Sequence, residues 1–233
     1  MATIENSFLA AFEPGDRALL DPHLKSVPLE QRKVLLEPGV PVKHVYFPTG
    51  AILSLVIDLS TGEMVETAMV GRDGMVGAAA ALDSRISSIR AIVQLAGSAL
   101  MCSADGLKAA VSQSPTLLSL IFRHEQALFA QVQQSVGCLA AHHVEARLCR
   151  WLLRARDLSG SDTMNFTQEF LGEMLGVQRG SVTVVAHTLQ QAGMIRYSRG
   201  RIQITNVDGL QETACECYEA TRSQSEALLR PKQ

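Results

Sequence analysis

The chain has 233 residues, 47% hydrophobic and 19% charged, with 21 Lys and Arg against 23 Asp and Glu for a formal net charge of −2. That apolar content excludes a disordered chain, and the length exceeds one average domain, so two cores are expected. Near-neutrality excludes a protein that holds a polyanion by bulk charge alone, and no run of 18 apolar residues suggests a membrane-spanning helix.

The opening MATIENSFLAAFEPGD has no basic flank, apolar block or small-residue cleavage site, so a soluble cytoplasmic protein is expected. Five cysteines, Cys102, Cys138, Cys149, Cys215 and Cys217, are an odd number without paired zinc spacing, which suits reduced thiols rather than a disulfide framework. Charge is unevenly spread. Residues 142–206 carry eight arginines against five acids, net +3, whereas residues 1–141 are net −3 and the tail is −2. A mildly basic unit attached to an acidic one fits this pattern.

In chain order, the first 35 residues read as partly helical, with Pro14-Gly15-Asp16 opening one short segment and Asp21-Pro22 another. From Val34 short β-rich runs alternate with Pro and Gly: Val34 to Leu36, His44 to Pro48, Ala51 to Ile57, Met64 to Val70 and Ser88 to Ala96. An antiparallel barrel or jelly roll is the economical fold. Helical character returns over Asp105 to Gln113, and Pro115 opens a longer helix to about Leu139. On a heptad frame Leu118, Ile121, Leu128, Val132 and Leu139 form its seam, interrupted by Glu125 and Ser135. Such a seam is best buried against the same helix of a second copy, so a homodimer is expected.

The stretch from Phe166 to Thr205 carries the most information. Thr167 stands where a side-chain cap is wanted, with Glu169 in the first turn, and Phe170, Leu171, Met174 and Leu175 share one helical face that Gly176 ends. A second periodic run turns Val182, Val185, Ala186 and Leu189 inward and leaves Gln178, Arg179, Ser181, Thr183 and Val184 on its exposed N-terminal side. Small polar groups and one arginine at that place suit base edges in the major groove. After Gly193, Met194 to Tyr197 and Arg201 to Ile204 alternate like two strands joined at Ser198-Arg199-Gly200. This is the layout of a winged helix-turn-helix, with Thr167, Gln168, Arg199 and Arg201 as backbone contacts.

The order β-roll, long helix, winged helix-turn-helix resembles the Crp/Fnr family of bacterial transcription factors over nearly the whole chain. Thr167, Leu171, Gly172, Leu175, Gly176, Arg179, Ser181, Val182, Leu189, Gly193, Met194 and Ile195 stand at the family's spacing. Glu37 to Gly39, VYFPTGAI at Val45 to Ile52 and VGRDGMVG at Val70 to Gly77 resemble its β-region. The resemblance implies an α+β fold divided into a cyclic-nucleotide-binding-like β-roll (residues 1–114), a dimerisation helix (115–141) and a winged helix-turn-helix domain (142–233). It implies double-stranded DNA and a second copy of the chain as partners, RNA polymerase as a further candidate, and no catalysis.

Departures from the family pattern are equally specific. Gln178-Arg179-Gly180-Ser181-Val182 lacks the usual acid, and Val184 stands where a second arginine is common. An acid accepting from cytosine is lost, while Thr183 and Val184 suit thymine methyls. In the ligand pocket the ribose-binding glutamate falls on Ala78, after Gly77, and the phosphate-binding arginine falls on Ile89, with Arg90 one residue beyond. A buried cyclic phosphate without a cation is poorly compensated, so weak or no binding of cyclic AMP is expected unless a bulge turns Arg90 inward. Any input through the β-roll is then expected from an unidentified small-molecule effector or a partner rather than from cyclic AMP.

No cysteine precedes Cys102, which argues against an N-terminal iron–sulfur cluster. His124, Cys138, His142 and His143 read as solvated or core residues, and Cys215 and Cys217, two apart on an expected helix, as facing different ways, so no metal or cofactor is expected. An enzyme of the cupin kind needs a histidine cluster, and the β-region holds only His44. The remaining alternatives are a protein-interaction module on the same scaffold and a regulator with a non-nucleotide effector.

Overall fold

The computed structural model describes residues 6–83 and 85–229; the outermost residues of the two terminal domains expected above, and Ser84, lie outside the described residues. The chain opens with helices α1 (Ser7–Ala10) and α2 (Pro14–Leu20) and a 3₁₀ turn at Asp21–His23. Then follow β1 (Leu24–Leu29), β2 (Val34–Leu36), β3 (His44–Pro48), β4 (Ile52–Asp58), β5 (Met64–Val70), α3 (Ala78–Leu82), β6 (Arg90–Leu95), β7 (Gly97–Ser103) and α4 (Ala104–Gln113). The second half comprises α5 (Pro115–Ala141), α6 (Val144–Ser159), β8 (Thr163–Asn165), α7 (Gln168–Leu175), α8 (Arg179–Gln191), β9 (Ile195–Ser198), β10 (Arg201–Ile204), α9 (Val207–Thr213) and α10 (Cys217–Leu229). Among the described residues no helix is long and apolar enough to cross a membrane.

The chain divides into two compact units. One holds residues up to 55, residues 69–130 and the stretch from 224; the other holds residues 56–68 and 131–223. The β-rich part has a three-stranded sheet in the order β1-β7-β3 and a four-stranded sheet in the order β2-β6-β4-β5. Interior strands β4 and β6 are buried almost throughout, which is why Ile52 to Val56 and Ala91 to Val93 read as continuous apolar runs rather than alternating ones. Ser54 of β4 donates to Gln94 Oε1 of β6 at 3.0 Å. Asn6, fully buried, donates to the carbonyls of Pro48 and Gly74, both at 2.8 Å, and accepts from the Leu9 amide at 2.9 Å to cap α1.

Two strands lie where the sequence suggested none. β1 carries Pro28, which argues against a central strand, but β1 is an edge strand and an edge tolerates a residue without an N–H. β7, GSALMCS, has weak strand propensity; its pairing with both β1 and β3 imposes the conformation. The chain reaches β7 through Gly97, whose Cα lies so close to the Gly50–Ala51 backbone that any side chain would overlap it.

The long helix α5 has 27 residues. Ser114 caps it by accepting the Leu117 amide at 3.1 Å, and Pro115 follows where its missing N–H costs nothing. Asp16 accepts from Ser114 and, at 2.8 Å, from Thr116, fixing that end to α2. One member of the expected seam, Ile121, is corrected. Ile121 is only 1% exposed and packs within its own chain, and Ser135 is also buried. Outward instead stand Phe122, Phe129 and Val136, at 61%, 63% and 61% exposed. With half-buried Leu118, Glu125, Val132 and Leu139 they make a 4-3-4-3-4-3 pattern, whereas Leu128 lies to one side, half-buried. Inserting a methyl at position 97 forces backbone movement, so Gly97→Ala is expected to lower the free energy of unfolding by about 1–3 kcal/mol, read from urea denaturation.

Candidate nucleic-acid interface

Helix α7 starts as its sequence dictates: Thr167 accepts the Phe170 amide on Oγ1 at 3.1 Å, and Gly176 ends the helix in the left-handed region at φ +60°. The turn closes when the Val177 amide donates to the Gly172 carbonyl at 2.9 Å. Gly172 is required there, since a Cβ would sit 2.8 Å from the Val177 carbonyl oxygen. Helix α8 then buries Val182, Ala186 and Leu189, with Val185 half-buried. Phe166 lies between Trp151 (centroids 4.9 Å, edge-on) and Phe170 (5.9 Å, stacked), and Trp151 donates to Glu66 Oε1 at 2.9 Å. This packing sets α7 and α8 on α6.

Gln178, Arg179, Ser181, Thr183 and Val184 are all exposed at the start of α8, and Val184 is 67% exposed. Gln178 occupies the N-cap without a side-chain capping bond, so the positive end of the helix points outward beside Arg179. Thr183 Oγ1 lies 2.8 Å from Gln168 Oε1 and 3.0 Å from the Arg179 carbonyl, so its proton is engaged inside the motif. Gln168 is thereby held between the two helices, and Thr167, exposed, stands beside it.

The wing is a three-stranded sheet in the order β8-β10-β9, and β8 is an element the sequence did not suggest. Its three residues are too few to carry a period of their own. Arg199 (φ +51°) and Gly200 (φ +77°) form the two-residue tip between Ser198 and Arg201, which face each other across the ladder. Arg199 and Arg201 are exposed there, and Arg196, not singled out from the sequence, is exposed on β9. Tyr197 donates its hydroxyl to the Phe166 carbonyl at 3.3 Å and its amide donates to Gln190 Oε1 at 2.8 Å, fastening the wing to the helices.

Among the ligand-pocket positions, Gly77 adopts φ +99° and opens α3, and Ala78 is fully buried. Ile89 is half-buried ahead of β6, and Arg90 begins that strand. Arg90 Nε lies 3.1 Å from each oxygen of Glu37, and its Nη2 also bonds Glu37, so the candidate cation for a cyclic phosphate faces an internal carboxylate. Glu37 also lines an open cleft of about 290 Å³ bounded by β2 and the start of β3.

The cysteine and histidine reading requires correction. Cys138, His142, Cys215 and Cys217 converge, with their ligand atoms all within 4.8 Å of one another. Cys215 does not lie on a helix: it stands in the turn between α9 and α10, so a two-residue separation does not send its sulfur and that of Cys217 to opposite faces. Cys138 Sγ lies 3.5 Å from Cys215 Sγ and His142 Nδ1 3.6 Å from Cys217 Sγ. The neighbouring Cys215 thiol holds Cys138 down to about 5, while Cys215 is itself raised by the same contact and by burial. His124 and His143 are elsewhere. His124 accepts the Met75 amide on Nε2 at 3.1 Å and packs on Phe8, and His143 is the exposed residue before α6.

Residues 146–213 match the family model of the Crp-like helix-turn-helix domain. Among solved structures, FixK2 from Bradyrhizobium japonicum is similar with a TM-score of 0.69 and 15% identity, over 82% of this chain and 98% of that one. TTHA1359, a Crp/Fnr-family transcriptional regulator from Thermus thermophilus, is similar with a TM-score of 0.66 and 23% identity, over 82% and 98%. TTHB099 of the same organism, a Crp-family transcriptional regulator, has a TM-score of 0.68 and 18% identity, over 82% and 96%. No curated protein matches the sequence.

The cap that starts the motif is open to measurement: Thr167→Ala is expected to cost about 1 kcal/mol of unfolding free energy, and Thr167→Ser close to none, by thermal or urea denaturation. With its cap, glycine turn, exposed second helix and wing in place, the segment 146–213 matches the Crp-like helix-turn-helix domain, in a chain whose fold is similar to that of solved Crp/Fnr-family transcriptional regulators.

Proposed function

We propose that this chain is a cytoplasmic, sequence-specific DNA-binding regulator of transcription that acts as a homodimer on a two-fold operator. The observation that carries the reading is the exposed start of α8, where Gln178, Arg179, Ser181, Thr183 and Val184 stand free of their own core. Arg179 is the reader of a guanine, donating to its major-groove edge, and Thr183 and Val184 present methyl groups suited to thymine. Thr167, Gln168, Arg199 and Arg201 border that face and serve the phosphates. The outward row of Phe122, Phe129 and Val136 on α5 supports the dimer, because large apolar side chains that exposed at heptad spacing are best buried against the same helix of a second copy. Two copies then present two α8 helices to half-sites about one turn of DNA apart.

Input enters through the β-rich unit and is not cyclic AMP: Ala78 replaces the carboxylate that a ribose needs, and Arg90 is engaged by Glu37. RNA polymerase is the expected downstream partner of an activator built this way.

Four measurements test the reading. Selection from random duplexes is expected to return a two-fold repeat, and gel-shift affinity is expected to fall steeply with salt; salt-indifferent binding, or no duplex bound, sinks the proposal. Arg179→Ala is expected to lose about 1–3 kcal/mol on the selected site and to relax one base pair per half-site; an equal loss on all sequences makes Arg179 a phosphate contact. Phe129→Glu is expected to shift sedimentation from dimer to monomer and to abolish cooperative two-site binding.

A further inference from the structure

Four side chains with metal-ligating atoms, three of them from a small buried cluster and none used in DNA recognition, meet at one point. Cys138 lies on the last turn of α5 and His142 just past its end, with the His142 amide donating to the Cys138 carbonyl at 3.1 Å, while Cys215 stands in the turn before α10 and Cys217 is the first residue of that helix. We propose that Cys138, His142, Cys215 and Cys217 form a mononuclear Cys₃His zinc site that joins the end of α5 to the start of α10.

The geometry matches what zinc requires. Four ligands at about 2.3 Å (sulfur) and about 2.0 Å (nitrogen) in a tetrahedron lie roughly 3.5–3.8 Å apart. The Cys138–Cys215 sulfurs are 3.5 Å apart, Cys217 Sγ and His142 Nδ1 are 3.6 Å apart, and no ligand pair exceeds 4.8 Å. Such closeness suits one ion, since the thiolates of an iron–sulfur cluster stand around a larger body. Thiolate-rich donor sets with one imidazole favour zinc among the common divalent ions.

The surroundings also fit. With Nδ1 turned to the sulfurs, the other ring nitrogen of His142 is 3.2 Å from Glu216 Oε1, the carboxylate partner that ligating histidines commonly have to fix their tautomer. Gln134 Nε2 donates to Cys217 Sγ at 3.0 Å, a bond that a thiolate accepts well. Three thiolates, a neutral imidazole and one Zn²⁺ leave a single negative charge, and Arg147 and Arg150 are near enough to act on Cys138 electrostatically. The three cysteines are buried and His142 is only partly exposed, so the site is closed and carries no open position for substrate; its role is structural. Binding replaces three thiol protons with the metal and requires no oxidant.

The experiment uses the full reduced chain, purified without chelator. One zinc per chain is expected by elemental analysis. Exchange for Co²⁺ is expected to give the visible d–d bands of a tetrahedral ion together with thiolate-to-cobalt charge transfer in the near ultraviolet, both lost on adding zinc. Cys138→Ser is expected to lose the metal, while Cys102→Ser, at a buried cysteine of the other unit, retains it. Glu216→Gln is expected to weaken zinc about 10–100-fold in a chelator competition. The cobalt spectrum of the unaltered chain decides the matter even where a cysteine variant fails to fold. A reduced chain that neither carries zinc nor takes it up overturns the proposal, as does cobalt bound without a thiolate band, a Cys138→Ser chain with its full zinc content, or a Cys138–Cys215 disulfide forming in place of metal binding.

Discussion

The two-faced periodicity of α5 is the constraint on which the rest of the architecture rests. A helix of 27 residues that takes part in both units has to bury one stripe in its own chain along its whole length. Leu117, Leu120, Ile121, His124, Ala127, Gln131, Ser135 and Cys138 do so. What those positions leave over, at a spacing of seven, is Phe122, Phe129 and Val136. The polar members of the inward stripe are therefore part of the packing: His124 meets the Met75 amide, and Cys138 meets Cys215. A helix designed only to dimerise would have no use for a histidine, a glutamine, a serine and a cysteine in a row along its buried side.

Much of this was legible in the sequence, and the legible part is the local part. Thr167, Gly176, Gly193 and the Arg199–Gly200 tip each act through their own backbone conformation or a neighbour three residues away, so the helix-turn-helix and its wing could be placed to within a residue or two. The strands β1 and β7 were not legible, because their strand state is imposed by pairing partners that are distant in the chain and their own residues, Pro28 and Gly97 among them, argue against it. Ile121 and Leu128 fall off the outward row of α5, while Leu118, Val132 and Leu139 stay on it, for a related cause. Two stripes, one through Ile121, Leu128 and Ser135 and one through Phe122, Phe129 and Val136, have the same period, and only contact with the body of the chain distinguishes them. The gathering of Cys138 and His142 with Cys215 and Cys217 was hidden by the assumption of a continuous C-terminal helix, which the break at Ala214 to Glu216 removes.

The exposed start of α8 is chemically sparse. One arginine, two small hydroxyl residues, an amide and a valine leave few charged groups there, so on the proposed reading much of the discrimination falls to shape and methyl contact. Thr183 is already bonded within the motif, and Val184 offers no polar atom. On the same proposed reading, the exposed arginines of the wing supply the electrostatic attraction that a chain of net charge −2 does not supply in bulk.

Arg147 carries a consequence of a different kind. It is buried on α6 and gives a guanidinium hydrogen bond to the carbonyl of Leu175, the last residue of α7, next to the turn that leads into α8. If α7 were to swing away while α6 stayed in place, that guanidinium would be left in an apolar interior with its acceptor gone, at a cost of several kcal/mol. Fraying one helix at a time is thereby suppressed. In hydrogen exchange the amides of α6 and α7 are then expected to lose protection together, in one cooperative opening rather than helix by helix.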